Sequence, residues 1–90
     1  MTPITPDQVK EFLRAKYAGA IEAMGLAPAE VQDDFDFLVA GVIDSFGILE
    51  MIGALEDEFG IRLDMAALDA EEITILGPLS IYVAQTARPV

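Results

Sequence analysis

The stretch DSFGILEMIGALEDEFG, residues 44–60, decides the fold because it carries a complete helix together with both of its ends. Asp44 and Ser45 are of the types that cap the start of a helix, and Gly60 is a typical helix stop. At the roughly 100° per residue of an α-helix, the large apolar side chains fall on two opposite faces. The first face predicts the core stripe and consists of Ile48, Met51, Ile52, Leu55 and Phe59.

The opposite face of this predicted helix is unusual because it directs large apolar side chains away from the core. Phe46, Leu49 and Gly53 lie there, with Ser45 at the edge. The positions that flank this face are acidic: Glu50, Glu56 and Asp57. Apolar side chains on a solvent face, bordered by carboxylates, predict a docking surface for a partner with basic residues.

The N-terminal segment carries a second complete helix start. Thr5 can cap the helix, Pro6 occupies the first helical position, and Gln8 completes a capping box. Apolar residues then recur at helical spacing as far as Met24, and Gly25 follows as the stop. We therefore predict one long helix before the crossover to residues 44–60.

The stretch between these helices, from Gly25 to Ile43, fits neither a helix nor an alternating strand for long. A loop of this length in a small domain is expected to pack on the core or to serve a function. We predict an ordered crossover with one short helical turn after Pro28. The apolar residues available to pin it to the bundle are Val31, Phe35, Phe37, Leu38, Val39, Val42 and Ile43.

The C-terminal part predicts one short and one longer helix. The short helix falls within residues 65–72, and the last helix begins near residues 74–77 and runs to about Thr86. Convincing strand alternation is missing from the chain. The predicted fold class is all-α, with a single domain over residues 1–90. It is a four-helix bundle of three main helices and one short helix, with a long first loop.

Composition limits the chemistry of the chain. Its 90 residues include no His, no Cys and no Trp, so it can assemble neither a Ser-His-Asp nor a Cys-His nucleophile, nor a zinc site of the usual type. We expect a protein that presents a group, not an enzyme. Sixteen acidic and five basic residues give a net charge of −11, which argues against nucleic acid and anionic membranes as partners.

Hydropathy and the first residues bear on location. The longest apolar run, residues 37–43, is far shorter than the roughly 20 residues of a membrane helix. The opening MTPITPDQ lacks the basic start and apolar core of a secretory signal. We therefore expect no membrane insertion, a cytoplasmic location and a monomer.

The dipeptide Asp44-Ser45 is, on its own, most simply a helix cap. Its neighbourhood favours a further role, because a serine in the first turn meets the positive end of the helix dipole and free backbone N–H groups. That is a favourable place for an attached phosphate.

At this point the sequence resembles the acyl carrier proteins. The segment GVIDSFGILEMIGALEDEFGIRL, residues 41–63, is similar to the serine motif and second helix of that family. The capped first helix, the acidic loop DDFDFLVAGVID (residues 33–44) and the close ITILGPLSIYV (residues 73–83) extend the resemblance over nearly the whole chain.

The resemblance implies a prosthetic group. Ser45 would receive 4′-phosphopantetheine from coenzyme A through a separate phosphopantetheinyl transferase, and Asp44 would assist the metal-dependent step of that enzyme. The thiol of the arm would hold acyl or aminoacyl groups as thioesters, which supplies the nucleophile that the missing Cys cannot.

The resemblance also implies the partner contacts. Phe46, Leu49 and Gly53 match the apolar contact positions of the family, and the acidic contact positions are matched by Glu50, Glu56 and Asp57. The implied partners are the transferase and enzymes that activate or transfer acyl or aminoacyl groups, with basic docking patches. Phe46 stands where Leu is usual, and Gly47 and Ile48 replace polar residues of fatty-acid carriers. These departures are typical of a stand-alone carrier in a specialised pathway.

A second class of function remains open on the same residues. An acidic helical adaptor without a prosthetic group would use Phe46 and Leu49 only to grip a partner helix. Other features have simpler interpretations. The acidic cluster Asp33, Asp34 and Asp36 is expected to be a solvated loop and not a metal site. Tyr17 and Tyr82 are expected to be core residues with their hydroxyls at the surface.

Overall fold

The computed structural model describes residues 4–64, 72–86 and 88–89, and of residues 86, 88 and 89 it describes the backbone alone. In this part of the chain the structure is mostly helical, which confirms the predicted all-α class. The helices are α1 (Pro6–Lys16), α2 (Ala18–Ala23), α3 (Ser45–Phe59) and α4 (Leu76–Thr86), with a 3₁₀ turn at Pro28–Glu30. The predicted short helix within residues 65–72 lies outside the described residues, apart from Glu72.

The start of α1 has the predicted capping box. Thr5 Oγ1 accepts a hydrogen bond from the backbone N–H of Gln8 at 3.2 Å, and Gln8 Oε1 accepts one from the N–H of Thr5 at 3.0 Å. These two bonds satisfy backbone donors that a helix start otherwise leaves free. Val9 and Leu13 are fully buried behind this cap.

The single N-terminal helix predicted from the spacing is divided at Tyr17. The backbone there departs from helical values, with φ −104° and ψ 16°. Hydrogen bonds of helical spacing still cross the break, because the N–H of Tyr17 donates to Leu13 O and the N–H of Ile21 donates to Tyr17 O. Gly19, a poor helix former, lies two residues further on and weakens the helical preference near this point. Helix α2 ends before Gly25, which has φ 86° and is the predicted stop.

Helix α3 begins and ends where its sequence predicts. Asp44 Oδ1 accepts from the N–H of Gly47 at 2.8 Å, and Gly60 closes the helix in the left-handed conformation with φ 62°. The core stripe is as predicted: Met51, Ile52 and Leu55 are buried, and Ile48 and Phe59 are partly buried against the core.

The crossover between α2 and α3 is ordered by backbone hydrogen bonds with Thr74 and with the first two residues of α4. The N–H of Gly77 donates to Asp33 O at 2.8 Å, the N–H of Leu76 to Phe35 O at 2.9 Å, and the N–H of Phe37 to Thr74 O at 2.8 Å. Phe37 is fully buried at the centre of this contact. The crossover therefore belongs to the folded core, and it contains the helical turn predicted after Pro28.

A two-residue antiparallel strand pair adds to the helices. Strand β1 (Ile61–Arg62) follows α3 and pairs with β2 (Arg88–Pro89), with Ile61 opposite Pro89. Sequence patterns do not predict it, because two residues are too few for a strand alternation to show.

Helix α4 closes the core with Leu76, Leu79 and Val83, which are buried. Ser80 lies among them, fully buried, and its hydroxyl donates to Leu76 O at 2.6 Å, so this polar group is satisfied within its own helix. Within the described residues, no helix is long and apolar enough to cross a membrane.

Candidate functional site

Ser45 is the first residue of α3 and is exposed to solvent. Within the described part of the chain, its hydroxyl is joined to no other residue by a hydrogen bond. The neighbouring Asp44 supplies the helix cap, so Ser45 is not needed for capping. The structure therefore leaves this hydroxyl accessible at the N-terminal end of a 15-residue helix.

Gly47 allows the tight start of α3. A Cβ at this position would lie 3.0 Å from Ile43 Cβ and 3.4 Å from Asp44 Oδ1. The first turn of α3 therefore packs against the preceding buried residue, with room for the bond from Asp44 to the Gly47 N–H. The small residue that departs from the family pattern at position 47 thus has a structural reason.

The chain just before Ser45 forms a closed loop, residues 38–42, here called the Ser45 loop. Its two ends meet because Phe37 O accepts from the N–H of Val42 at 2.9 Å and from the N–H of Ile43 at 3.1 Å. Gly41 turns the backbone with φ 84°, a conformation that favours glycine.

Asp36 holds the first residues of the Ser45 loop. Its Oδ1 accepts from the backbone N–H groups of Leu38 at 3.0 Å and Val39 at 3.2 Å, and from the hydroxyl of the buried Thr74 at 2.8 Å. One carboxylate oxygen thus ties the loop to the segment before α4. Asp36 is half-buried, and beyond the solvated loop expected from the sequence its side chain has this structural role.

Leu38 and Val39 do not pin the crossover to the bundle as predicted. Both side chains are exposed, and Val39 is 83% accessible. Their backbone N–H groups are turned inward to Asp36, which leaves the side chains pointing to solvent beside the start of α3. Sequence reasoning missed this exposure because the apolar run from residue 37 to 43 looks uniformly core-forming.

The outer face of α3 is apolar, as predicted. Phe46 is 82% accessible and Leu49 is 65% accessible, while Gly53 is half-buried further along. These values are high for large apolar side chains in a small protein. The structure thus brings Ser45, Phe46 and Leu49 to the same exposed end of one helix.

The three acidic residues predicted beside this face have different surroundings. Glu50 is exposed and forms an ion pair with Lys16, with Nζ and Oε1 2.8 Å apart. Glu56 is half-buried, and its Oε2 accepts from the N–H of Leu63 at 2.9 Å, which ties α3 to the chain after β1. Asp57 is exposed.

The basic residues of α1 all contact other elements of the protein. Lys10 Nζ lies 3.0 Å from Asp33 Oδ1, and Arg14 donates to Val31 O at 2.8 Å. Lys16 forms an ion pair with Glu50 of α3. All three cations therefore bind α1 to the crossover or to α3.

The ring of Tyr17 lies beneath this last ion pair. The sequence predicts that its hydroxyl lies at the surface, and this prediction is wrong. The hydroxyl oxygen is buried and has no hydrogen-bond partner among the described residues. Burial, and second the negative charge of Glu50, raise the pKa of Tyr17 to about 12. Tyr82 differs, since its hydroxyl donates to Asp64 O at 2.9 Å.

Among the residues that the structure describes, no group of three or more carboxylates is placed to hold a metal ion. Asp33, in the acidic cluster, is paired with Lys10.

Comparison with protein families matches residues 19–76, more than half of the chain, to the family described as the phosphopantetheine attachment site. The matched segment runs from α2 to the start of α4 and includes all of α3. Searches of curated proteins and of solved structures gave no match.

The chain belongs to the phosphopantetheine-attachment family, which is consistent with an acyl carrier protein. Such domains are non-catalytic carriers, so this protein is a carrier of a prosthetic group and not an enzyme. The prosthetic group is 4′-phosphopantetheine.

Proposed function

We propose that Ser45 carries the 4′-phosphopantetheine, and that the chain shuttles acyl or aminoacyl thioesters between partner enzymes. One observation carries the assignment: Ser45 is the only serine in the matched segment, residues 19–76. The other serine of the chain, Ser80, is fully buried and donates to its own helix.

The surroundings of Ser45 fit the group. Its hydroxyl is exposed and engaged by no described residue, so the transferase can reach it without unfolding the site. The resulting phosphodiester carries a negative charge at the N-terminal end of α3, where the helix dipole and the backbone N–H groups of the first turn stabilise anions. The N–H of Gly47 is already bound to Asp44, so the remaining N–H groups of that turn would serve the phosphate.

The attachment step balances without a base from this chain. The Ser45 oxygen forms a bond to the phosphorus next to pantetheine in coenzyme A, and the pyrophosphate bond breaks so that adenosine bisphosphate leaves. The transferase removes the serine proton. We assign Asp44 a part in the metal-dependent step of that enzyme, in addition to its role as the N-cap of α3. The reason is that its carboxylate adjoins the reacting residue.

We assign the docking contacts to the outer face of α3. Phe46, Leu49 and Gly53 would form its apolar part, and Glu50 and Asp57 would meet basic residues of the partners. Glu56 is assigned a contribution through its charge alone, because its carboxylate is turned to the N–H of Leu63. The proposed setting is the cytoplasm, with the chain acting as a single monomeric domain over residues 1–90.

Intact mass tests the attachment residue. The protein is incubated with coenzyme A, magnesium and a broad-specificity phosphopantetheinyl transferase. We expect the wild type to gain the mass of one phosphopantetheine and Ser45→Ala to gain none. Thr5→Ala is the matched control, because Thr5 is also an exposed hydroxyl residue at a helix start, and this variant should be modified like the wild type.

Two outcomes contradict the proposal. A mass gain that persists in Ser45→Ala would place the group on another residue. A folded wild type that gains no mass would favour the adaptor without a prosthetic group, in which Phe46 and Leu49 grip a partner helix.

A further inference from the structure

The ion pair between Lys16 and Glu50 joins the basic helix to the proposed docking face. Lys16 Nζ lies 2.8 Å from Glu50 Oε1, and the pair spans 34 positions in the sequence. Glu50 lies directly after Leu49 on α3, so this lysine reaches the border of the apolar surface from a different helix.

The lysine is held in place by more than its charge. Its side chain is only 24% accessible, whereas that of Glu50 is 66% accessible. Its Nζ lies 5.4 Å from the centre of the Tyr17 ring, within the range of a cation–π interaction. The cation is thus anchored on the protein side of the pair, and the carboxylate faces solvent.

We propose that Lys16 is a specificity-determining residue for docking, an internal cation that pairs with Glu50 and competes there with a partner's basic residue. This inference rests on the proposed function of the outer face of α3. The partner chemistry is an apolar patch that covers Phe46 and Leu49, bordered by a lysine or arginine. Partners that rely on Glu50 are disfavoured relative to those that reach the exposed carboxylate of Asp57.

The size of the effect follows from the exposure of the pair. Ion pairs at solvent-exposed positions are weak, so the competition changes the rate of a docking-limited step by a few fold and does not block it. Removing the cation also adds one net negative charge, which attracts any basic partner. A test must therefore separate the local pairing from the overall charge.

The chain supplies a matched control for overall charge. Lys10 lies on the same helix and forms an ion pair of similar length with Asp33, which belongs to the crossover and not to α3. Lys10→Gln and Lys16→Gln change the net charge equally, but Lys16→Gln alone frees Glu50.

The experiment measures kcat/KM for the full chain as substrate of the transferase, at low ionic strength. We expect Lys16→Gln to be modified about two- to five-fold faster than Lys10→Gln. The increase in rate that Lys16→Gln causes should be absent when Glu50→Gln is present as well. The same increase should become smaller as salt is added.

Three results would overturn the inference: equal rates for the two lysine variants, a slower rate for Lys16→Gln, or a gain that survives Glu50→Gln. Far-ultraviolet circular dichroism of each variant checks that the fold is retained. The proposed function fails separately, since it predicts modification of the wild type at Ser45 whatever the lysine variants do.

Discussion

At the scale of single residues, the two tyrosines show how a partner decides what a hydroxyl contributes. Tyr82 donates to Asp64 O, whereas the buried hydroxyl of Tyr17 has no partner among the described residues. Tyr17 instead contributes its ring, which packs against Phe37 with the ring centres 5.4 Å apart. Burial of the unpaired hydroxyl therefore lowers the stability of the fold, and burial of the ring offsets that loss.

Removing that hydroxyl is expected to do no harm. Tyr17→Phe keeps the ring and removes the unpaired group, so we expect the free energy of unfolding to rise by up to about 1 kcal/mol. Tyr82→Phe is the matched control and should lose about 0.5–1.5 kcal/mol with its hydrogen bond. Chemical denaturation at neutral pH measures both, and a loss of stability in Tyr17→Phe would contradict the assignment.

The same variant carries a pH signature. The folded protein keeps the Tyr17 proton until its pKa of about 12, while the unfolded chain releases it near the ordinary value of 10.0. The unfolded state thus binds fewer protons in that window, and the stability from this group falls as pH rises from about 10 to 12. The wild type should lose more stability than Tyr17→Phe over this range.

At the scale of elements, Gly77 is the glycine at which an added Cβ would meet its neighbours most closely. It lies where α4 meets the crossover. A Cβ on Gly77 would lie 2.9 Å from Asp33 Cβ and 3.0 Å from Asp33 O, and the latter is backbone that cannot rotate away. The Gly77 N–H also donates to that oxygen at 2.8 Å. This glycine therefore sets how closely α4 approaches the crossover.

A methyl group at this position should separate the two elements. We expect Gly77→Ala to lower the free energy of unfolding by about 1–3 kcal/mol through overpacking. Gly19→Ala is the control, because a Cβ there meets nothing within 4 Å and alanine favours a helix, so stability should hold or rise by up to about 1 kcal/mol. Thermal or urea unfolding compares the variants, and equal stabilities would show that the crossover yields.

Predictability also varies at this scale. Local signals determine the start of α1 and both ends of α3, because Thr5, Gln8, Asp44 and Gly60 act on neighbours within a few residues. The strand pair of β1 and β2 could not be predicted, since it joins two short segments far apart in the chain. The hydrogen bond that the N–H of Leu63 donates to Glu56 could not be predicted either, because it depends on how the chain turns after Gly60.

At the scale of the whole molecule, the net charge of −11 is unevenly shared. The cations of α1 are each engaged with the crossover or with α3, and Lys16 reaches the border of the outer face of α3 through Glu50, whereas Asp57 is exposed there. The exposure of Ser45, Phe46 and Leu49 at one end of α3 was predictable, because helical spacing places them away from the core stripe. The exposure of Val39 and the pairing of Glu50 were not, since both depend on contacts across the fold.

A substitution at Leu49 tests whether partners dock on the outer face of α3. Leu49→Asp should leave helix content nearly intact, because the side chain is 65% accessible, but it should slow modification of Ser45 by roughly ten-fold or more through loss of apolar contact. Ile81→Asp is the control on α4, where the residue is also exposed. Gross unfolding of Leu49→Asp would show that this face belongs to the core.

The closed Ser45 loop has a consequence for a group attached to Ser45. Both of its ends meet at Phe37 O, and Asp36 ties its first residues to Thr74, so the loop that leads through Ile43 and Asp44 to Ser45 is anchored to the fold. An arm carried on Ser45, as we propose, would therefore start from a point of attachment that is itself anchored to the fold.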